Sequence, residues 1–314
     1  MRFPYKFLFC PLLGIVAAPI YGQAPVEAQP HSRDLSGIWN NSTITPLERP
    51  RELGPKQFFT EAEAAEFEKK TNHDLNRDRR DGPADADVAR AYNEAWFDRG
   101  TRVVPSRRTS LIVDPPDGRI PPLTPAAQQQ ENLRAERLRR PATGPEDRLI
   151  RERCIVGDNA GPPLIPAVYN NNIQIVQTGE FVAILTEMVH DVRMIPLDGR
   201  PHLSPEVRQW LGDSRGHWEG DTLVVETTNF NGKTHFRGAD QNLRILERFT
   251  RVSPDEILYR FTIDDPTAFS QSWSGEVPLM RSEGPLYEYA CHEGNYGMEG
   301  LLRGARVEEG SEQK

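Results

Sequence analysis

Three stretches of this sequence concentrate the groups that acid–base chemistry needs. His190, Asp191, Arg193 and His202 lie close together. His217 and Glu219 are followed by Asp221 and Glu226. Tyr289-Ala290-Cys291-His292-Glu293-Gly294-Asn295-Tyr296 packs several donors and acceptors into one short segment. An imidazole titrates near neutrality and can take or give a proton, a carboxylate can orient it, and an arginine can hold developing negative charge. On this reading His190 is the base or acid and His292 the second proton-transfer group. Glu226 or Glu293 is the orienting carboxylate, and Arg193 the charge stabiliser. Met188, Tyr259, Trp273, Asn295 and Tyr296 are the candidate substrate-contacting side chains.

Each cluster also has a plainer reading. His190 can be a core histidine satisfied by a neighbour, and the segment around His292 a C-terminal cap. Glu219 and Asp221 suit a turn, and aromatic rows such as that of Trp273 are more often core than ligand box. Glycines at 294 and 297 let the backbone turn sharply beside His292. No HExxH, HxH or cysteine-pair spacing for a metal occurs, although a set dispersed over His190, His202, His217 and His292 stays open. Gly212-Asp213-Ser214-Arg215-Gly216 lacks the G-x-S-x-G form of a serine nucleophile. No P-loop or dinucleotide fingerprint is present, so the expected site is free of metal and cofactor.

The elements that must position these groups are strands. Phe181 to His202 reads as one long strand in which side chains alternate between faces. Val182, Ile184, Thr186, Met188, His190, Val192 and Met194 form one row; Glu187, Asp191 and Arg193 fall on the other. His190 and Asp191 then point apart, so His190 needs a partner on a neighbouring strand. Ile173 to Val176 pairs with this strand through a turn at Thr178-Gly179-Glu180, and Asp198-Gly199 is a second turn. Ser204-Pro205 is read as capping a short helix that ends at Gly212. Glu219-Gly220-Asp221 turns into a strand over Thr222 to Thr228, placing Glu226 on a face with Thr222 and Val224. Leu243 to Val252 and Glu256 to Asp264 form a hairpin. Phe269 to Met280, with Trp273, Val277 and Leu279 on one face, and Leu286 to Cys291 are two further strands. Consecutive strands with short turns predict an antiparallel meander.

The first half is different. Thr60-Glu61-Ala62-Glu63 is a capping box opening a helix that ends near Lys70. Val88 to Phe97 is read as a short helix presenting Tyr92, Trp96 and Phe97. Ser110 to Val113 is a short strand, and Thr124-Pro125 starts a helix that runs to about Arg140 and carries Arg134 on a basic, solvated face. Residues 1–22 read as a secretory signal with an apolar stretch too short to span a bilayer, which implies an exported protein, periplasmic or extracellular. Removing it removes Cys10 and leaves Cys154 and Cys291, a pair that permits one disulfide in an oxidising compartment. The expected organisation is an extended first half over 23–150, an antiparallel β domain over 151–303, and a disordered tail over 304–314. The net charge of −8 argues against a nucleic-acid partner, and no later stretch is long enough for an integral membrane segment.

Four strings, RTSLIVDPPDGRIPPLTP from Arg108, HDVRMIPLDGRPH from His190, GHWEGDTLVVETTNF from Gly216 and ACHEGNY from Ala290, resemble those of a large family of exported, uncharacterised bacterial proteins. The resemblance covers most of the mature chain and implies no activity. Gly37-Ile38-Trp39 resembles the first strand of lipocalin-type barrels, where a tryptophan plugs the closed end. The expected fold is therefore all-β dominated, an antiparallel meander closing into a lipocalin-like barrel with helical and proline-rich decoration. The expected function is a cofactor-independent lyase, isomerase or hydrolase acting on a small, fairly apolar molecule. The alternatives are a non-catalytic carrier of a hydrophobic ligand and an envelope interaction protein.

Overall fold

A computed structural model describes residues 33–90, 93–157, 159–234 and 236–312. The expected signal segment, Cys10 and Tyr92 lie outside them. The described chain builds one mostly antiparallel ten-stranded sheet with a few helices. The strands are β1 (Gly37–Asn40), β2 (Ile112–Asp114), β3 (Asn172–Gln177), β4 (Phe181–Thr186), β5 (Val192–Pro196), β6 (Asp213–Glu219), β7 (Thr222–Thr228), β8 (Arg244–Ser253), β9 (Glu256–Asp264) and β10 (Trp273–Ser282). Their order in space is β5-β4-β3-β1-β10-β9-β8-β7-β6, with β2 also paired to β10.

The meander expected for the second half is present, and β7 and β9 span the expected residues. The sheet does not close into the expected barrel. β5 and β6 are the two ends of the strand order, and no ladder joins them. They meet through side chains instead: a Cβ on Gly216 of β6 would lie 2.8 Å from both Ile195 of β5 and Leu197. The missing side chain lets the edges approach without pairing.

The concave face is filled. Trp39, Phe249, Tyr259, Phe261, Phe269 and Trp273 are almost wholly buried. Phe261 and Phe269 meet the Trp273 ring edge-on at 5.8 and 6.0 Å, the geometry favoured by ring quadrupoles. Gly275 stands opposite Phe261 in the register, and a Cβ there would be 2.3 Å from the ring. Trp273, Val277 and Leu279 share the inward face of β10 as their spacing indicates. Trp39 donates its indole N–H to the Leu35 carbonyl, and Arg251 and Arg281 each lie 5.7 Å from its ring.

Helix α1 (Glu61–Leu75) begins at the expected capping box, with Thr60 and Glu63 bonded reciprocally. It extends past Lys70 and packs Ala64 and Phe67 into a satellite cluster with Ile44, Phe59 and Val103. Helix α2 covers Ala84–Ala89, ahead of the expected position, with a 3-10 turn at Glu94–Trp96. Helix α3 (Pro125–Arg139) is capped by Thr124 as expected.

Three local readings are corrected. Residues 204–212 are not helical; Asn229, in a left-handed conformation, donates its amide to the carbonyls of Leu203, Ser204 and Val207 and organises them as a loop. Residues 286–291 form no strand, because they follow β10 where no sheet edge is offered to them. Residues 304–312 of the expected disordered tail form the second half of helix α4 (Tyr296–Glu312), docked by Arg306, which donates to the carbonyls of Ala142 and Thr143. Cys154 and Cys291 are joined by the expected disulfide, with Cα atoms 5.6 Å apart.

Candidate functional site

The long strand 181–195 is broken. β4 ends at Thr186, and Met188–His190 forms a 3-10 turn in which Val189 and His190 both have positive φ, 60° and 44°. The turn reverses the chain and resets its parity. Ile184 pairs with Arg193 and Val182 with Ile195, so Arg193 faces the interior and His190 does not. His190 is exposed, with Nδ1 3.2 Å from the Tyr289 carbonyl oxygen. Glu187 is the buried group here; it accepts from the Asn172 side chain and the Tyr287 N–H, fastening β3 and the C-terminal segment to the turn.

Asp191 follows, with one carboxylate oxygen buried and lacking a hydrogen-bond partner. Desolvation raises its pKa, with His190 acting in the opposite sense. Its native carboxyl thus holds its proton more tightly than the unfolded one. Between the unfolded and native values, stability falls as pH rises; above both, the ionised group is a net cost. Asp191→Asn is expected to stabilise the protein at neutral pH and to flatten this acid limb. Urea unfolding at a series of pH values checks it, and an unchanged limb refutes the assignment.

The other expected catalytic groups are dispersed. His292 and Glu293 are exposed. Asn295 donates to the Glu152 carbonyl at 2.9 Å and reaches Cys154 Sγ at 3.4 Å, so it clamps the disulfide, and Tyr296 is exposed. Glu226 is not inward: Leu223, Val225 and Thr227 form the buried row of β7. The Glu226 carboxylate instead accepts from Arg244 and lies 3.9 Å from His202 Nε2. His202 Nδ1 in turn lies 2.9 Å from Asp213, which also accepts from the Leu203 N–H and Arg215. That set pins the 201–204 segment to β6. Among the described residues no group of three or more histidine, cysteine or acidic side chains could hold a metal ion.

Two arrangements remain that could serve a function. The first is inside the sheet. Arg193 makes a bidentate pair with Glu247 at 2.6 and 3.0 Å; Tyr259 donates to the same carboxylate at 2.9 Å and accepts from the Leu164 N–H at 3.0 Å. Burial, with Glu247 beside it, pushes the Tyr259 phenol well above its ordinary value, so it remains a neutral donor. All three side chains are sealed from solvent, which makes this a structural brace.

The second is a cavity of about 520 Å³. Its described walls come from residues 149–157 and 161–168 before β3, residues 210–211 before β6, residues 230–234 and 236–243 between β7 and β8, and Arg134 of α3. Because neighbouring strands alternate in direction, the starts of β3, β6 and β8 and the end of β7 fall at one end of the sheet, where the cavity opens. Leu149, Ile165, Trp210, Phe230, Phe236 and Leu243 supply much of the apolar wall. Among the described residues the charged lining groups are Arg134, Arg151, Arg237 and Asp240. Arg134, read from sequence as part of a solvated face, thus contributes to the site. Met188 lies behind the wall: a Cβ on Gly157 would be 2.1 Å from Met188 Cγ. Tyr259 and Trp273 belong to the core beneath. His190, His292, Glu226, Glu293, Asn295 and Tyr296 do not line the cavity.

Sequence patterning missed this site because its walls are loops without periodicity. The available signals were the Gly161-Pro162-Pro163-Leu164-Ile165-Pro166 run, apolar yet unable to act as a central strand, and an arginine beside glycine at Arg237-Gly238. Comparison with protein-family models, with curated proteins and with solved structures finds no match.

Proposed function

We propose that this protein is a binding protein for one small, largely apolar molecule held at the open end of its sheet. The observation that carries the reading is the 520 Å³ cavity with a mainly apolar wall and a few charged groups. That volume lies in the roughly 300–1,000 Å³ range of small-molecule sites. The curved sheet then acts in a lipocalin-like manner, as a rigid wall behind loops that contact the ligand. Acid–base turnover would need an imidazole and a carboxylate within reach of one substrate. His190, His292, Glu226 and Glu293, the groups the sequence offers for that chemistry, stand apart from the cavity, and its wall is mainly apolar, which favours carriage. Export belongs to the same proposal: the Cys154–Cys291 disulfide is compatible with an oxidising compartment. No helix among the described residues is long and apolar enough to cross a membrane.

The test is equilibrium binding of N-phenyl-1-naphthylamine, a neutral apolar fluorophore, to the purified protein. It is expected to bind and to quench Trp210, which lines the cavity. Val168→Trp and Ala167→Phe, which add bulk to the wall, should weaken binding about tenfold, some 1.4 kcal/mol, with thermal midpoints little changed. Absence of binding, or binding indifferent to both substitutions, would refute the reading.

A further inference from the structure

The geometry points to a ligand with an anionic head: we propose that Arg237 selects a molecule whose apolar body fills the cavity and whose single oxyanion group, a carboxylate or sulfonate, meets the guanidinium. This rests on the cavity being a binding site and names the class of molecule it takes.

Arg237 is held in a tight turn closed by the Ala239 N–H donating to the Phe236 carbonyl at 2.9 Å. Both central residues have positive φ, 52° at Arg237 and 98° at Gly238. Glycine suits such a position, and a Cβ on Gly238 would sit 2.7 Å from Leu123. Arginine at 237 gains nothing from the left-handed backbone and bears a conformational cost there. Both ends of the turn are anchored: the Phe236 ring stacks on Trp273 at 6.2 Å, and Ala239 is fully buried. The turn is therefore a rigid mount, and what it carries into the cavity lining is a cation.

That cation has no hydrogen bond or ion pair to its side chain among the described residues. Its side chain is exposed to solvent at the cavity lining. Partial desolvation pushes the guanidinium below the ordinary arginine value, and the charge of Glu48 acts in the opposite sense. Arg134 differs, lying 3.7 Å from Glu131, and Arg151 has interactions of its own. Among the described lining residues there are three cations and the carboxylate of Asp240, and Arg237 is presented there without a described anion in contact. A partly desolvated guanidinium next to an apolar wall is matched by an oxyanion on an apolar body, which its planar fork can bind through two parallel hydrogen bonds.

The experiment uses a matched pair of fluorophores: 8-anilinonaphthalene-1-sulfonate, and N-phenyl-1-naphthylamine, which has the same rings without the sulfonate. The full-length protein should bind the sulfonate at least about tenfold more tightly, as a charge-assisted pair implies. Arg237→Gln should remove that preference while leaving the neutral compound within about twofold. Arg237→Gly should do the same with an equal or higher thermal midpoint, because glycine relieves the backbone. Arg139→Gln, on α3 outside the lining, should change neither affinity. Equal affinity of the original protein for both compounds, or a sulfonate preference that survives both Arg237 variants, overturns the anionic-head inference and leaves the cavity reading standing. If neither compound binds, the cavity reading fails and this inference with it.

Discussion

Replacing Glu247 with alanine is expected to destabilise the protein by about 3–5 kcal/mol, the range for breaking a buried ion pair from one side. The loss comes from what is left behind. Arg193 would keep its charge in an interior where both side chains are nearly inaccessible, 6% and 0% exposed. Its Nε already lacks a partner, and Tyr259 would lose the acceptor for its hydroxyl proton. The location adds to the effect. β5 and β6 end the strand order without pairing, so β5 has ladder hydrogen bonds from β4 alone and is otherwise held by side-chain contacts. The Arg193–Glu247 pair ties β5 to β8 across that interior, and Tyr259 extends the tie through β9 to Leu164. Urea unfolding of Glu247→Ala, Arg193→Met and the double variant Arg193→Met/Glu247→Leu separates the terms. The single variants should be severely destabilised. The double variant should recover most of the loss, because a buried pair is often replaceable by apolar side chains of similar volume. A loss below about 1 kcal/mol in Glu247→Ala would mean that water reaches the pair and that it is no brace.

Removing the disulfide has the second-largest expected effect. Cys154 and Cys291 are separated by 137 positions, and a cross-link over so long a loop restricts the unfolded chain strongly; typical losses on removing a native bridge are about 2–5 kcal/mol. The bridge also acts locally. The segment from 283 to 295 belongs to no strand, and its other ties include Tyr287 to Glu187, the Tyr289 carbonyl to His190, Tyr289 stacked on Tyr169 at 6.5 Å, and Asn295 to Glu152. Cys154→Ala/Cys291→Ala is therefore expected to lower global stability and to release 283–312 first. Hydrogen exchange should show early loss of protection in α4 while β7, β8 and β9 stay protected. Uniform loss of protection along the whole chain would show that the C-terminal segment does not open separately.

Much of this protein is legible in its sequence. The turns at Glu219-Gly220-Asp221 and Ser253-Pro254-Asp255 marked the starts of β7 and β9, the Trp273-Val277-Leu279 row marked the inward face of β10, and the Thr60 and Thr124 caps marked two helix starts. Two cysteines remaining after an expected signal segment indicated one bridge. These features are local: face alternation, capping and turn chemistry depend on neighbours a few positions away. The candidate site was much less legible. His190 seemed to lie in an apolar row only while residues 181–195 were one strand, and no glycine or proline warned that Val189 and His190 would take left-handed conformations. That reversal turned Arg193 inward, toward a partner 54 positions away.

The sequence by itself determined an antiparallel sheet, its hairpins and the composition of its core, because a period of two is written into each strand. The tertiary structure alone decided that the sheet ends stay unpaired, that Arg193 braces Glu247, and that the starts of β3, β6 and β8 gather aperiodic loops into one cavity. Loop conformation and the pairing of buried charges are set by contacts between segments far apart in the chain. Side chains that share a wall therefore share no local pattern, and Arg237 became a candidate ligand group only when the turn that carries it was seen at the cavity.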